Sequence, residues 1–204
     1  MPDKAKIAVL VSGGGTNLQA LLDAQGSVIQ DGEIVVVISN KAGAYALERA
    51  VKAGVATRTV LKKDCGSQAA FEQAIRDVLE EYHVDLIVLA GFLSILSARF
   101  TDAYPKRILN VHPSLIPSFC GAGFYGLRVH EAALDYGVKV TGTTVHFVNE
   151  VPDGGEIVLQ KAVTIRKNDT PETLQKRVMQ QAEWKILPKA VQIVSKQLRN
   201  QKGE

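Results

Sequence analysis

The chain has 204 residues, of which 46% are hydrophobic and 22% are charged, a composition typical of a globular protein and not of a disordered or fibrous one. Its 24 basic and 21 acidic side chains give a net charge of +3, which is too balanced to indicate a nucleic-acid-binding scaffold. No apolar stretch approaches the ~20 residues that cross a bilayer, and no secretion signal precedes the first strand-like segment, so we expect a cytoplasmic protein that binds neither nucleic acid nor membrane.

The first half of the chain alternates short apolar runs with amphipathic stretches, a pattern typical of βαβ units in a parallel sheet. The apolar runs are continuous and rich in β-branched residues, which predicts strands buried on both faces. The predicted strands are Lys6–Val11, Glu33–Ser39, Thr57–Leu61, Leu86–Ala90 and Ile108–His112. The predicted helices between them are Asn17–Ala24, Ala44–Ala53 and Gln68–His83.

The pattern changes after Pro113. The predicted elements are an irregular loop at Ser114–Gly126, a helix at Val129–Tyr136, strands at Lys139–Val148 and Glu156–Ile165 around the turn Asn149–Gly155, and a helix from Glu172 towards Ser195. We expect Pro188 to kink or split this last helix and the tail after Gln197 to fray. No linker divides the chain, so we predict one domain over residues 1–204. Its predicted fold is α/β, with an open, doubly wound, mostly parallel sheet and an elaborated C-terminal part.

A glycine-rich turn, Ser12-Gly13-Gly14-Gly15-Thr16-Asn17, joins the first predicted strand to the first helix. The N-terminus of a helix carries unpaired N–H groups and the positive end of the helix dipole, which favours a bound phosphate. The motif lacks the Gly-Lys-Ser/Thr of a nucleoside-triphosphate loop, and Leu18 replaces the third glycine of a dinucleotide fingerprint. Two interpretations remain open: a monophosphate site, or a tight turn that only caps the helix.

The fifth predicted strand ends in two polar side chains, Asn110 and His112. Residues two apart on a strand share a face, and ligands of open α/β sheets bind beyond the carboxyl ends of the strands. An amide N–H can stabilise an oxyanion and an imidazole can transfer a proton, so this pair suits acyl-type chemistry. The alternative is a polar strand end that makes only local hydrogen bonds.

Asp153 is the best candidate for a residue that orients His112, because it lies on a glycine-flanked loop that could fold over the site. A carboxylate beside the imidazole would favour the imidazolium, so we expect a raised pKa for His112. The alternative is an ordinary turn aspartate.

The remaining histidines and the two cysteines show no metal-binding pattern. They have neither an H-x-x-x-H spacing nor the four ligands of a structural zinc site, so we expect no bound metal and no disulfide framework. Each has a structural interpretation, such as a helix end, a strand or a small buried thiol. These residues are His83, His130, His146, Cys65 and Cys120.

Four motifs together resemble those of the phosphoribosylglycinamide formyltransferase family, the folate-dependent enzymes of purine synthesis. Any one of them is weak evidence, but four in the same order at matching spacing are specific, and the resemblance runs from about Lys6 to Val194. The motifs are V-S-G-G-G-T-N-L-Q at Val11–Gln19, L-A-G-F-L-S-I-L at Leu89–Leu96, N-V-H-P-S-L-I-P at Asn110–Pro117 and T-V-H-F-V-N-E-V-P-D-G-G at Thr144–Gly155.

The resemblance implies transfer of the formyl group of 10-formyltetrahydrofolate, as co-substrate, to the primary amine of N1-(5-phospho-D-ribosyl)glycinamide in de novo IMP biosynthesis. It also implies a nucleotide-binding half at about residues 1–112 and a folate-binding half at about 113–204. The implied catalytic residues are Asn110, His112 and Asp153. The implied substrate-binding residues are Gly15, Thr16, Asn17 and Glu183. The implied folate-binding residues are Gln68, Leu93, Ser94, Ile95, Leu96 and Asn110.

The chain departs from the family pattern at three places. Gln68 stands where the family often has a basic residue, Trp184 replaces a common histidine, and Ser118–Leu127 is longer than the corresponding link of some members. The alternative functions are another 10-formyltetrahydrofolate enzyme (a hydrolase or a tRNA formyltransferase, each of which needs a further domain) and a non-catalytic nucleotide-monophosphate sensor. We expect small-molecule substrates as the only partners, and a monomer or homodimer.

Overall fold

The structure is a computed structural model that describes residues 3–202. These residues form one seven-stranded sheet in the order β3-β2-β1-β4-β5-β6-β7. The strands are β1 (Ala5–Val11), β2 (Gly32–Ser39), β3 (Ala56–Thr59), β4 (Leu86–Leu89), β5 (Ile108–His112), β6 (Val140–Phe147) and β7 (Ile157–Thr164). Strands β1 to β5 pair in parallel, whereas β6 is antiparallel to both β5 and β7. The predicted open, mostly parallel α/β fold is therefore confirmed.

The helices follow the predicted order, with two additions. They are α1 (Thr16–Ala24), α2 (Tyr45–Lys52), α3 (Lys62–Cys65), α4 (Gln68–Glu81), α5 (Ala98–Asp102), α6 (Leu127–Tyr136), α7 (Pro171–Val178) and α8 (Trp184–Lys202). Sequence periodicity missed α3 and α5 because helices of one turn are too short to show it. No helix of residues 3–202 has the length and apolar character needed to cross a membrane.

The core lies on both faces of the sheet, as the continuous apolar sequence of β1 predicts. Ile7 and Val9 are fully buried on one face, in a cluster to which α1 and α8 contribute. Leu10 is fully buried on the other face, with Phe71 and Ile75 of α4. The end of strand β1 is therefore packed on both faces, which holds the start of the following glycine turn in place.

The C-terminal helices differ from the sequence-based expectation at two points. A π-helical turn, Met179–Glu183, separates α7 from α8, so the break lies before Pro188 and not at it. Proline lacks an N–H and its ring crowds the carbonyl four residues earlier, which explains a disturbance on its N-terminal side. The predicted fraying after Gln197 is wrong, because α8 continues to Lys202, whose Nζ lies 2.6 Å from the Asp85 carboxylate.

The sheet brings the sequence motifs together at one edge. Strands β1, β4 and β5 are parallel, so the glycine turn, the segment after β4 and the end of β5 all leave the sheet on the same side. Strand β6 runs antiparallel to β5 and places His146 opposite Asn110. The loop between β6 and β7 then returns Asp153 to this edge.

Candidate active site

A cavity of about 760 Å³ lies at this edge of the sheet, and residues from all four motifs line it. The lining includes most of the predicted site residues, namely Thr16, Asn17, Leu93, Ser94, Ile95, Asn110, His112, Asp153 and Glu183. Leu96 is buried and lines a smaller adjoining cavity of about 140 Å³. Gly15 precedes Thr16 in the turn, and Gln68 lies outside the cavity wall but donates a hydrogen bond to the Ile95 carbonyl at 3.2 Å. The sequence-predicted residues therefore lie in or beside one cavity.

Asp153 lies between the two polar residues at the end of β5. Its Oδ2 is 3.4 Å from His112 Nδ1, and its Oδ1 accepts a hydrogen bond from Asn110 Nδ2 at 3.5 Å. Oδ2 also accepts from the Gly121 N–H at 2.9 Å. The end of β5 and the loop that follows it thus meet the distant Asp153 carboxylate, as the interpretation of these residues as a catalytic group requires.

The loop that carries Asp153 is held by close packing at its glycines. A Cβ at Gly155 would lie 1.8 Å from the Phe147 carbonyl oxygen, so only glycine fits beside β6. Asp153 itself has a φ of 57°, a left-handed conformation that aspartate tolerates better than most residues. The Asp-Gly-Gly sequence therefore suits the backbone conformation that brings the carboxylate to this position.

The pKa of His112 is lowered, not raised as the sequence led us to expect. Burial is the dominant cause, and it outweighs the opposing effects of the Phe119 carbonyl and the Asp153 carboxylate. Nε2 lies 2.9 Å from the Phe119 carbonyl oxygen, which only accepts hydrogen bonds, so Nε2 carries a hydrogen. A second hydrogen, on Nδ1 facing Asp153, is present only in the imidazolium. The acceptors around the His112 ring therefore suit the imidazolium, whereas burial of the ring favours the neutral imidazole.

Asp153 stays ionised despite its burial. Burial alone would raise its pKa, but the His146 ring, the Gly121 N–H and the His112 ring together lower it below the usual value. At neutral pH the cavity thus holds the Asp153 carboxylate next to the His112 imidazole, whose neutral form is favoured by burial.

His146 is part of the site, although the sequence pattern favoured a structural role. Its Nδ1 is 2.8 Å from the Phe147 carbonyl oxygen, and its Nε2 lies 3.2 Å from Asn110 Nδ2 and 3.6 Å from Asp153 Oδ1. His146 thus orients the Asn110 amide. The only signal for this role is the cross-strand register of β5 and β6, which no local sequence pattern reveals.

His130 is a second histidine that the sequence pattern did not assign to the site. It is fully buried on α6 and lines the large cavity. Burial, together with the nearby His112, lowers its pKa to about 4, so it is neutral near pH 7. In residues 3–202 neither of its ring nitrogens has a hydrogen-bond partner.

The glycine turn presents N–H groups to its open side. The Gly13 carbonyl accepts from the Ala46 N–H at 3.0 Å, and the Gly14 carbonyl accepts from Arg49 Nε at 2.8 Å, so both carbonyls face α2. In a trans peptide the N–H points away from the carbonyl, so the next two N–H groups, those of Gly14 and Gly15, face away from α2. No side chain caps α1, which leaves its first N–H groups without a side-chain acceptor. The turn has the properties of an anion site.

Glycine is required at Gly15 for packing. Its φ is 72°, and a Cβ there would lie 2.6 Å from the Ala46 side chain. Gly13 and Gly14 have open space around them, so no contact among residues 3–202 requires their lack of a side chain. Their exposed backbone is free to approach a ligand.

Glu183 faces the same cavity from the π-helical turn. Its Oε2 accepts a hydrogen bond from Asn17 Nδ2 at 2.8 Å, which ties the turn before α8 to the start of α1. Burial raises the pKa of Glu183 to about 7, against the opposing hydrogen bond from Asn17. This carboxyl group therefore exchanges its proton near neutral pH.

The segment after β4 presents apolar side chains to solvent. Leu93 is 62% exposed and Ile95 is 78% exposed, although both border the cavity. Exposed large apolar side chains beside a cavity are typical of a site for a partly apolar ligand. Within residues 3–202 no three His, Cys, Asp or Glu side chains are grouped so that they could hold a metal ion.

Comparison with known proteins identifies the family. The formyl transferase family matches residues 5–191. The chain belongs to the formyl transferase family. Among its members, a phosphoribosylglycinamide formyltransferase of Haemophilus influenzae is 45% identical over 183 residues, which cover 90% of this chain and 84% of that protein. The resemblance drawn from the four motifs is thereby confirmed.

Other members of the family support the same assignment. The crystal structure of glycinamide ribonucleotide transformylase 1 from Symbiobacterium toebii has a TM-score of 0.88 and 42% identity, with 95% of this chain and 89% of that chain covered. The trifunctional purine biosynthetic protein adenosine-3 of Bos taurus is 50% identical over 194 residues, or 95% of this chain. The chain spans only 19% of that trifunctional protein, so it matches one part of it.

Proposed function

We propose that this protein transfers the formyl group of 10-formyltetrahydrofolate to the primary amine of N1-(5-phospho-D-ribosyl)glycinamide, a step of de novo purine (IMP) biosynthesis. The observation that carries the proposal is the meeting of Asn110, His112 and Asp153 in a cavity that also reaches the glycine turn. Such a cavity can hold a phosphorylated amine and an acyl donor side by side. The family membership and the name of the Haemophilus relative point to the same reaction.

The phosphoribosyl substrate would bind across the turn and the start of α1. The outward N–H groups of Gly14 and Gly15, together with the first N–H of α1 at Thr16, would hold its phosphate, and the helix dipole adds to this attraction. Asn17 and Glu183 would hydrogen-bond the remaining polar groups of the substrate. Both line the cavity, and Glu183 is 6% exposed.

The folate would bind along the segment after β4. Leu93, Ser94, Ile95 and Leu96 offer apolar contacts and backbone groups, and the loop that ends at Asp153 lines the opposite wall of the adjoining cavity. Gln68, hydrogen-bonded to the Ile95 carbonyl, would lie at the outer end of this site. These residues fit an extended cofactor with a flat ring, and no metal is part of the proposal.

In the reaction, the substrate amine attacks the formyl carbon and negative charge develops on the formyl oxygen. Asn110 Nδ2 and the cationic form of His112 would stabilise that oxygen. Because burial lowers the pKa of His112 in the free protein, the cation must be favoured when substrates bind. The proton from the attacking nitrogen then passes, through His112 or a water held by Asp153, to the folate nitrogen as its bond to the formyl carbon breaks.

Incubation of the purified protein with 10-formyltetrahydrofolate, with and without the phosphoribosyl amine, tests the proposal. Amine-dependent release of tetrahydrofolate, with one formylated product per turnover, is the expected result. Release of tetrahydrofolate without the amine would indicate a hydrolase, and binding without turnover would indicate a nucleotide-monophosphate sensor.

A loss of at least ~10² in kcat is expected for His112→Ala with the fold intact. An exposed ion-pair variant, Glu156→Gln, serves as control.

Several sequence-based expectations remain predictions. They are the single domain over residues 1–204, its division near residue 112 into nucleotide-binding and folate-binding halves, the cytoplasmic location, and the monomeric or homodimeric state. Gel filtration with light scattering would test the last of these.

A further inference from the structure

We propose that Arg49 on α2 makes this site selective for a phosphorylated substrate, an inference that rests on the function proposed above. No motif of the sequence singles out this residue. The structure, however, places its side chain against the turn to which the phosphate is assigned. Arg49 would act in two ways: by holding the turn, and by adding a positive charge beside it.

The first role follows from the contacts of the guanidinium. Nε donates to the Gly14 carbonyl at 2.8 Å, and Nη1 donates to Gln19 Oε1 at 2.9 Å. The Arg49 Cδ would be 3.4 Å from a Cβ on Gly15. Arg49 therefore bridges the turn and the second turn of α1, and it helps to fix the direction in which the N–H groups of the turn point.

The second role follows from the N–H groups and the positive charge of Arg49 that these contacts leave free. A guanidinium has five N–H groups, of which the two hydrogen bonds use two. The group stacks on the Tyr45 ring, with Cζ 4.9 Å from the ring centroid, so its plane is held. Among residues 3–202 no carboxylate forms an ion pair with Arg49. Its charge is thus available to an anion.

The surroundings add to this charge. Arg49 lines a groove of about 580 Å³ between α1 and α8, which shares Thr16 with the reaction cavity. Lys185 and Lys189 of α8 line the same groove. Asp23 is the only carboxylate among the described residues of the lining, and it accepts a hydrogen bond from Gln19 at 2.8 Å. A phosphate at Thr16 would bind the helix N-terminus, and the Arg49 guanidinium on the α2 side of the turn would attract it by its charge.

A comparison of two substrates distinguishes a role of Arg49 in phosphate recognition from a role only in supporting the turn. The phosphoribosyl amine and the same compound without its 5′-phosphate are compared in wild type, Arg49→Lys and Arg49→Gln. We expect Arg49→Gln to raise the KM for the phosphorylated substrate by ~10- to 100-fold, because the variant loses a positive charge beside the turn and the charged hydrogen bond that supports it, with kcat within about threefold. The KM for the unphosphorylated substrate should stay unchanged, and Arg49→Lys should be intermediate because it keeps the charge.

Arg58→Gln is the matched control. Arg58 also stacks on a tyrosine and pairs with a carboxylate at the surface, but it lies on β3 away from the turn. It should leave both KM values unchanged. An equal rise for both substrates in Arg49→Gln would overturn the proposal in favour of a structural role, and no rise for either would also overturn it.

Direct binding keeps this test independent of the proposed reaction. Titration calorimetry with ribose 5-phosphate should show at least ~10-fold weaker binding to Arg49→Gln than to wild type. That result would stand even if the wild-type protein transferred no formyl group, in which case only the proposed function fails. Equal binding by the two proteins would overturn the role of Arg49.

Discussion

Replacement of Asp153 by asparagine removes one charge from the centre of the site and barely changes its shape. Asp153 Oδ2 lies 3.4 Å from His112 Nδ1, and the two side chains are only 13% and 5% exposed. Coulomb's law with an effective dielectric constant of about 20 gives an attraction of about 5 kcal/mol for the ionised pair. This is an upper bound, because asparagine still fills the space and can hydrogen-bond the ring. We therefore expect kcat to fall by ~10²–10³.

The pH dependence of Asp153→Asn has a defined sign. The Asp153 carboxylate opposes the effect of burial on His112, so its loss lowers the pKa of His112 further. If the imidazolium is the active form, kcat falls as pH rises through that pKa. The basic limb of the profile should therefore move to lower pH in the variant.

Steady-state assays of formyl transfer across pH 5–9 measure both effects. The KM for the phosphoribosyl substrate should change by less than about threefold, because Asp153 is not in the proposed phosphate site. Circular dichroism would verify the fold, and Glu156→Gln, an exposed acid that pairs with Lys106 after the same loop, is the control. A kcat within threefold of wild type, with the profile unmoved, would refute the electrostatic role of Asp153.

Three further predictions concern the substrate sites. Glu183→Gln should add about 3 kcal/mol to the free energy of unfolding above pH 7 and little below pH 4.5. Burial raises the pKa of Glu183 to about 7, so between pH 4.5 and 7 the unfolded chain releases this proton more readily than the folded protein does. Equal gains in thermal melts at pH 5 and pH 8 would contradict this prediction. Gly15→Ala should cost ~2–4 kcal/mol in urea denaturation, because of its φ of 72° and the clash with Ala46, and Gly14→Ala less than ~1 kcal/mol; similar losses would count against the reasoning. Ile95→Ser should raise the KM for 10-formyltetrahydrofolate by ~10-fold with Tm unchanged, since this 78% exposed side chain would be buried only by the cofactor; an unchanged KM would remove Ile95 from the folate site.

The elements that the sequence predicted best are those whose signal is local. The continuous apolar run in β1 and the spacing of apolar residues in α4 depend only on neighbouring residues, and the structure confirms both. The tail after Gln197 failed as a prediction because its order depends on a distant partner: Lys202 bonds to Asp85 across the fold. Pro188 signals a break in the last helix but does not give its position, because the π-helical turn ends at Glu183, before the proline.

The sequence selected side chains that the structure brings together, but it did not predict the electrostatic balance between them. Motif order was enough to select Asn110, His112 and Asp153. The role of His146 depends on the register between β5 and β6, which follows from the pairing of whole strands. The direction in which the pKa of His112 shifts depends on how far burial outweighs the neighbouring carboxylate, a balance that only the three-dimensional structure reveals.

A crystal structure of the protein with phosphoribosylglycinamide and an unreactive analogue of the formylated folate would test the central claim most directly. We predict the phosphate on the N–H groups of the turn at Gly14–Thr16, and the oxygen that stands for the formyl oxygen within ~3.2 Å of Asn110 Nδ2 or of a ring nitrogen of His112. The substrate amine should lie next to the carbon that bears that oxygen. A phosphate bound elsewhere, or an acyl oxygen without contact to either residue, would contradict the account.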